Sequence, residues 1–384
     1  MRNRNILWLL VFLLAGGTLW AEETRIPAKG YAVFSKEGSF QPYTFTRHAV
    51  GEEDILLDLL YCGICHTDLH FVRGDWGEEP YPMVPGHEMV GKVVRVGKKV
   101  KKFQVGDYAA VGCMVNSCGH CGMCQRGEEQ YCETPGGRIL SYAVPDTFHG
   151  NEITCGGYAN NMVVSEKFAV KVPQDAPMEK IGPLMCAGIT TYSPLKFTRV
   201  KKGDKVGVAG FGGLGHMAVQ YAVAFGAEVT VFDVNESKRQ DALAMGATKF
   251  VNVRNPEECQ GLEHTFRVIL STIPAKYDPI FYVNMLQTDG ELVIVGLPAT
   301  ENTPMLNTAA LVILGRRHVC GSQIGGIAES QEMMDFSIKH GIYPHVEVIP
   351  VWKIDEAFEH LQNGTAKYRY VIDLKTLDQT PPKK

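Results

Sequence analysis

The sequence predicts an α/β protein of two domains, a barrel-like β domain joined to a doubly wound parallel sheet. Residues Tyr31 to about Val172 hold short β-rich runs broken by glycine and proline, such as Val90 to Val96 and Val105 to Val111, a pattern of short strands and turn residues that suits a barrel. From Lys205 the rhythm changes to strand, glycine turn, helix, strand, and such alternation builds a parallel sheet. The length of 384 residues, with 45% hydrophobic and 21% charged, allows two full cores and is ordinary for a globular enzyme.

Taken in order, the first element is a leader. Arg2 and Arg4 precede the apolar run Ile6 to Leu14, and small residues lead to Ala21, so residues 1–21 have the composition of a secretory signal peptide. On this reading the protein is exported to the periplasm and keeps no stable membrane span once the leader is cleaved. No cysteine follows the apolar run, so a lipoprotein anchor is not indicated.

Within the β-rich part, Cys118, Cys121, Cys124 and Cys132 fall in a C-x2-C-x2-C-x7-C pattern. Four thiolates at this spacing converge on one tetrahedral zinc, and a closed four-cysteine shell is structural. A ferredoxin-type cluster would place the fourth cysteine after three residues and before proline; here the gap is seven and Glu133 follows. Chemistry therefore needs a second set. Candidates are Cys62 and Cys65 in CGICHTDLH, which spacing alone does not separate, then His87 and Glu88 in VPGHE, and Cys186 in PLMCAGITTY. A Cys2His shell with one open position suits catalytic zinc. Taken alone, His87 would more often be a hydrogen-bonded structural histidine.

In the second domain, Val206 to Ala209 lead into GFGGLG, and Val219, Ala222 and Val223 follow at helical spacing. Gly210, Gly212 and Gly215, with Gly213 and Leu214 between them, then form a dinucleotide turn at a helix N-terminus. Asp233 closes the next strand, where a carboxylate accepts from the adenosine ribose 2'-hydroxyl and repels a 2'-phosphate, favouring NAD over NADP. Lys238 and Arg239 nearby offer a phosphate partner and keep NADP open. Apolar runs at Lys249 to Val253, Arg267 to Leu270, Glu291 to Val295 and His318 to Cys320 are spaced as further strands of the same sheet. A helix from Ile327 to His340 and the run Val346 to Ile349 break that rhythm, and a short polar tail, Asp378 to Lys384, ends the chain.

These motifs together resemble the zinc-dependent medium-chain dehydrogenases, in particular the cinnamyl alcohol dehydrogenase-like branch, over about residues 26 to 375. The resemblance implies a GroES-like β-barrel catalytic domain (22–185), a Rossmann domain (186–325) and a segment returning to the catalytic domain with the tail (326–384). It selects Cys65 over Cys62 and supplies Cys186 as the third ligand. It makes Glu88 a carboxylate that approaches the metal during ligand exchange, and Thr67 and His70 a proton relay. A histidine titrating near 6.5 suits the outer end of such a relay. Asp68 is the expected acceptor for the second ring nitrogen of His87, and His66 a phosphate contact. Two zinc ions per chain, an alcohol or aldehyde substrate and a homodimer follow from the same likeness. Asp233 departs from the branch, whose members usually carry a small hydroxyl residue there and prefer NADP. Nicotinamide contacts are expected from the loops after Leu270, Ile294 and Cys320, and the apolar substrate slot from Trp76, Leu297 and Ile324.

Charge and cysteine usage bound the rest. A net charge of −4 and no basic stripe interleaved with aromatics exclude nucleic acid as a partner. Eleven cysteines is an odd number, and Cys62, Cys113, Cys155, Cys259 and Cys320 remain as spare thiols, which exported proteins seldom carry. A mis-assigned start on a cytoplasmic enzyme is thus the alternative to export. The rival to catalysis is a non-catalytic zinc- or nucleotide-binding protein on the same scaffold; a zinc-free quinone reductase lacks this ligand set.

Overall fold

A computed structural model describes residues 24–379; the leader at 1–21 and the end of the tail lie outside them. The parallel sheet has the strand order Lys249–Asn252, Glu228–Asp233, Lys205–Ala209, Phe266–Ser271, Leu286–Ile294, His318–Gly321. Every neighbouring pair is parallel. Counted in chain order this is 3-2-1-4-5-6, the arrangement that opens a crevice between the first and fourth strands. Its central strands are valine- and isoleucine-rich, and Val206, Val208, Val229, Val231, Val268 and Ile269 are fully buried, as both covered faces require.

The β domain is a seven-stranded mixed sheet built on the long strand Asp54–Ile64. That strand pairs antiparallel with Met89–Val96, Asn161–Ser165 and Arg369–Asp373. The run from Val105 is shorter than the sequence suggests. Gly106 has φ 101° and Val105 is exposed, so a turn occupies 104–107 and the strand is Tyr108–Val111. Glycine supplies the left-handed backbone that turn needs.

After the parallel sheet the chain runs through helix Ile327–His340 and returns: Val346–Pro350 pairs parallel with Arg369–Asp373, which closes onto Asp54–Ile64. The helix Ala187–Phe197 links the domains, buried along nine of its residues and packed against Gly215–Ala224 and Ile327–His340. Among the described residues no helix is long and apolar enough to cross a membrane.

Candidate active site

Cys65 follows the last residue of the long strand and caps the helix His66–Arg73; Asp68 at the third helical position reaches back to its backbone N–H at 2.9 Å. This reciprocal cap fixes the turn, and the helix N-terminus favours a thiolate. The same Asp68 accepts from Gly86 N at 3.1 Å and Tyr158 Oη at 3.1 Å, and lies 3.0 Å from His87 Nδ1. Four partners occupy the roughly four acceptor positions of a carboxylate, so Asp68 is saturated and His87 cannot swing.

His87 Nε2 is buried and has no hydrogen-bond partner among the described residues. One ligand atom from each of Cys65, His87, Glu88 and Cys186 lies within 4.8 Å of the others, all four residues buried. Cys186 sits at the kink between the short 3-10 turn Gly182–Met185 and helix Ala187–Phe197. Its sulfur is 3.7 Å from that of Cys65. Two sulfurs on one tetrahedral ion at ~2.3 Å stand ~3.8 Å apart, so the pair is spaced for zinc. Cys65 is held well below the usual thiol range, first by hydrogen bonding with Cys186, which is itself pushed up, first by hydrogen bonding with Cys113 and then with Cys65. Cys62 is buried with its sulfur toward Gly63 O at 3.6 Å and is not in the set.

Glu88 is completely buried, and Gly63 makes its space: a Cβ there would fall 1.9 Å from Glu88 Oε2. Burial pushes the Glu88 carboxyl up to about 7 against the opposing pull of Arg369, whose Nη1 stands 3.1 Å from Oε1. The sequence reading missed Arg369. Its one signal is a cation between Tyr368 and Tyr370, just before the apolar Val371 and Ile372, a position that demands a buried partner.

Thr67 is half-buried in the first turn of helix His66–Arg73, and His70, three residues on, shares its face. His70 is not a surface residue. It is buried against Trp76 with ring centroids 4.9 Å apart, and its Nδ1 lies 2.6 Å from Asp75 Oδ2. Asp75, also missed, is a quarter exposed and extends from the buried imidazole to the surface. Its carbonyl accepts from Thr300 N and Oγ1, while Trp76 Nε1 donates to Pro298 O at 2.9 Å. These bonds bring Trp76 beside the loop of Leu297, which is exposed; Ile324 is half-buried with φ 41°. His66 has its pKa lowered, chiefly by burial.

In the four-cysteine lobe the sulfurs of Cys118 and Cys124 are 3.8 Å apart, Cys121 and Cys124 3.5 Å, Cys121 and Cys132 4.0 Å. These again match the edge of a thiolate tetrahedron. A third cluster, His48, Asp54 and His149, differs. The two rings stack 3.6 Å apart at 3°, so their in-plane lone pairs run parallel and do not converge on an ion.

At the glycine turn, Gly210 has φ 89° and Thr272 Oγ1 donates to its carbonyl at 2.8 Å. A Cβ on Gly215 would lie 2.0 Å from Gly210 O, whereas one on Gly212 would meet nothing within 4 Å. Gly213 lies under the Tyr368 carbonyl, and Leu214 caps helix Gly215–Ala224. Asp233 is more occupied than the sequence suggests. Its Oδ2 accepts from Phe211 N at 2.7 Å and Lys238 Nζ at 3.0 Å, and its Oδ1 from Asn235 N at 2.9 Å. One acceptor position remains for a ribose hydroxyl, and Lys238 is spent on the carboxylate rather than free.

A barrel lobe carrying a Cys2His pocket, beside a parallel sheet with a dinucleotide turn, defines a zinc-dependent nicotinamide dehydrogenase. Comparison with known proteins agrees. Residues 51–174 match the alcohol dehydrogenase GroES-like domain and residues 213–339 the zinc-binding dehydrogenase domain. The chain is 45% identical to cinnamyl alcohol dehydrogenase 2 of Rauvolfia serpentina, over 92% of this chain and 96% of that one. It is 44% identical to 8-hydroxygeraniol dehydrogenase of Catharanthus roseus, over 92% and 96%. The crystal structure of CAD from Helicobacter pylori complexed with NADP(H) superposes with a TM-score of 0.88 at 52% identity, covering 92% of this chain and 99% of that chain. The chain belongs to the zinc-dependent medium-chain dehydrogenase/reductase family, in its cinnamyl alcohol dehydrogenase-like branch. It is an NAD(P)-dependent alcohol dehydrogenase or aldehyde reductase.

Proposed function

We propose that this enzyme interconverts aromatic or cinnamyl-type aldehydes and their primary alcohols at a zinc held by Cys65, His87 and Cys186, with a second, structural zinc in the four-cysteine lobe. The observation that carries this is the partnerless Nε2 of His87 beside two sulfurs 3.7 Å apart. When bound, zinc supplies Lewis acidity toward the substrate oxygen and the nicotinamide carries the hydride. The chain's residues do the rest. Thr67 takes the alcohol proton, His70 receives it in turn, and Asp75, 2.6 Å from His70 and a quarter exposed, hands it to water. Asp68 keeps the His87 tautomer fixed, and Glu88 is the carboxylate within reach of the pocket during ligand exchange, with Arg369 as its counter-ion. Support for a flat aromatic substrate comes from the edge-to-face series Trp76, Phe71, Tyr142, with centroids 5.3 and 5.1 Å apart, and from the cinnamyl alcohol activity in a relative's name.

NAD is the favoured cofactor because Asp233 stands at the ribose with its charge only partly matched by Lys238; the NADP(H) complex of the Helicobacter pylori neighbour argues the other way. Steady-state kinetics with both cofactors decides, and strong NADP preference overturns this part. A homodimer is supported by the edge strand His318–Gly321 and by the exposed Met305, Val312 and Ile313 beside it in sequence. Light scattering of the purified protein tests it. Export rests on the leader composition, and N-terminal sequencing giving a mature chain from Glu22 is its test. The principal experiment follows nicotinamide absorbance with cinnamaldehyde or benzaldehyde, with and without chelator. Intact metal without turnover refutes the proposal in favour of a non-catalytic binding protein.

A further inference from the structure

The glycine turn has a neighbour from the far end of the chain. Tyr368, the residue before the last barrel strand, has φ 76°, a left-handed conformation that a bulky side chain keeps only when its surroundings over-determine it; such outliers gather at functional sites. Tyr368 is buried, and its surroundings are the parts of the dinucleotide cradle. Its ring lies edge-on to Phe211 at 5.7 Å and tilted over His216 at 4.8 Å. Its carbonyl oxygen is 3.1 Å from where a Cβ on Gly213 would stand. Its hydroxyl donates to Asp241 Oδ2 at 2.8 Å, on the helix Arg239–Ala244 that follows the Asp233–Lys238 pair. One side chain thus touches the glycine turn, the first turn of its helix and the helix beyond the ribose carboxylate. The next residue, Arg369, reaches Ile64 O at 3.2 Å and Glu88 on the barrel side.

We propose that Tyr368 is a positioning residue for the dinucleotide, clamping the glycine turn and helix Arg239–Ala244 into one preformed cradle against the barrel. This rests on the dehydrogenase reading above. A loose cradle lowers the fraction of protein competent to bind, and apparent affinity falls by that fraction.

The test uses Tyr368→Gly, which accepts the backbone but deletes the ring, and Tyr368→Phe, which removes only the hydroxyl. Dissociation constants for NADH and NADPH come from fluorescence titration, alongside zinc content and thermal midpoint. Expected for Tyr368→Gly is about tenfold weaker binding, with cofactor KM rising by more than kcat falls and zinc per chain unchanged. Tyr368→Phe is expected to weaken binding about two- to tenfold, the range of one hydrogen bond, and Asp241→Ala, which removes the acceptor, to give the same loss without adding to it. A lower thermal midpoint with unchanged dissociation constants in both variants overturns the proposal and makes Tyr368 a packing residue. Wild-type protein that binds neither dinucleotide overturns the dehydrogenase reading itself, and this proposal with it.

Discussion

The three glycines of the dinucleotide turn should fail in three different ways when each is replaced by alanine. In Gly215→Ala the new Cβ would stand 2.0 Å from Gly210 O, so backbone must shift and the 2.8 Å bond from Thr272 to that carbonyl is strained or lost. Overpacking costs about 1–3 kcal/mol and the hydrogen bond about 1 more, so a loss of about 2–4 kcal/mol is expected. Gly210→Ala carries the left-handed penalty at φ 89°, about 1–2 kcal/mol. Gly212→Ala meets nothing within 4 Å and should leave stability within about 0.5 kcal/mol. Yet that open space is where the pyrophosphate comes closest, so Gly212→Ala should bind NADH at least about tenfold more weakly, roughly 1.4 kcal/mol. Urea unfolding of the zinc-loaded protein reads the stability order and fluorescence titration reads the affinity. Wild-type affinity in Gly212→Ala, or equal destabilisation at positions 212 and 215, would refute the assignment of this turn to the cofactor.

Asp68→Asn should weaken the Cys65–His87–Cys186 zinc by about 10–100-fold, read by chelator competition, while the lobe zinc stays. Arg369→Met leaves Glu88 buried without its counter-ion and should cost about 3–5 kcal/mol in denaturant unfolding; adding Glu88→Gln should recover part of it, and no recovery would mean the pair is not coupled. The His149–Asp146 contact, 2.8 Å, should be visible as a pH dependence. The hydrogen bond to Asp146 raises the His149 pKa above the ordinary 6.5, while Asp146, despite burial, is held below 3.8. The raised histidine stabilises the fold below pH 6.5, a contribution lost as pH rises through its folded pKa; the lowered aspartate loses it again below about 3.8. His149→Ala should therefore destabilise more at pH 5.5 than at pH 8.5, and an equal effect at both removes the charged pair from the account.

How much of this was legible in the sequence depends on whether the group acts locally. The four-cysteine lobe, GFGGLG and the His87–Glu88 pair are contiguous motifs, and local spacing alone fixes what their backbone can present. Asp68 was within reach because a metal-binding histidine needs an acceptor for its second ring nitrogen and Asp68 stands in the same motif as Cys65. Arg369 and Asp75 were not. The first faces Glu88 only because the chain returns to pair Arg369–Asp373 with the long strand, 281 residues after Glu88 itself. The second matters through the 2.6 Å approach to His70, which no spacing rule supplies. Asp233 shows the converse: its position was readable, but Phe211 N, a donor 22 residues earlier, takes up part of its capacity.

The late return of the chain has a consequence during synthesis. A nascent polypeptide that has emerged as far as Gly341 already contains every strand of the parallel sheet and all seven of the proposed cysteine and histidine ligands. It still lacks Val346–Pro350 and Arg369–Asp373, the two strands that finish the barrel sheet. Until Arg369 leaves the ribosome, Glu88 faces its pocket with no guanidinium opposite. The parallel sheet thus has all its strands before the barrel sheet is complete, and a chain cut short there would carry the dinucleotide turn without the Arg369 partner of Glu88.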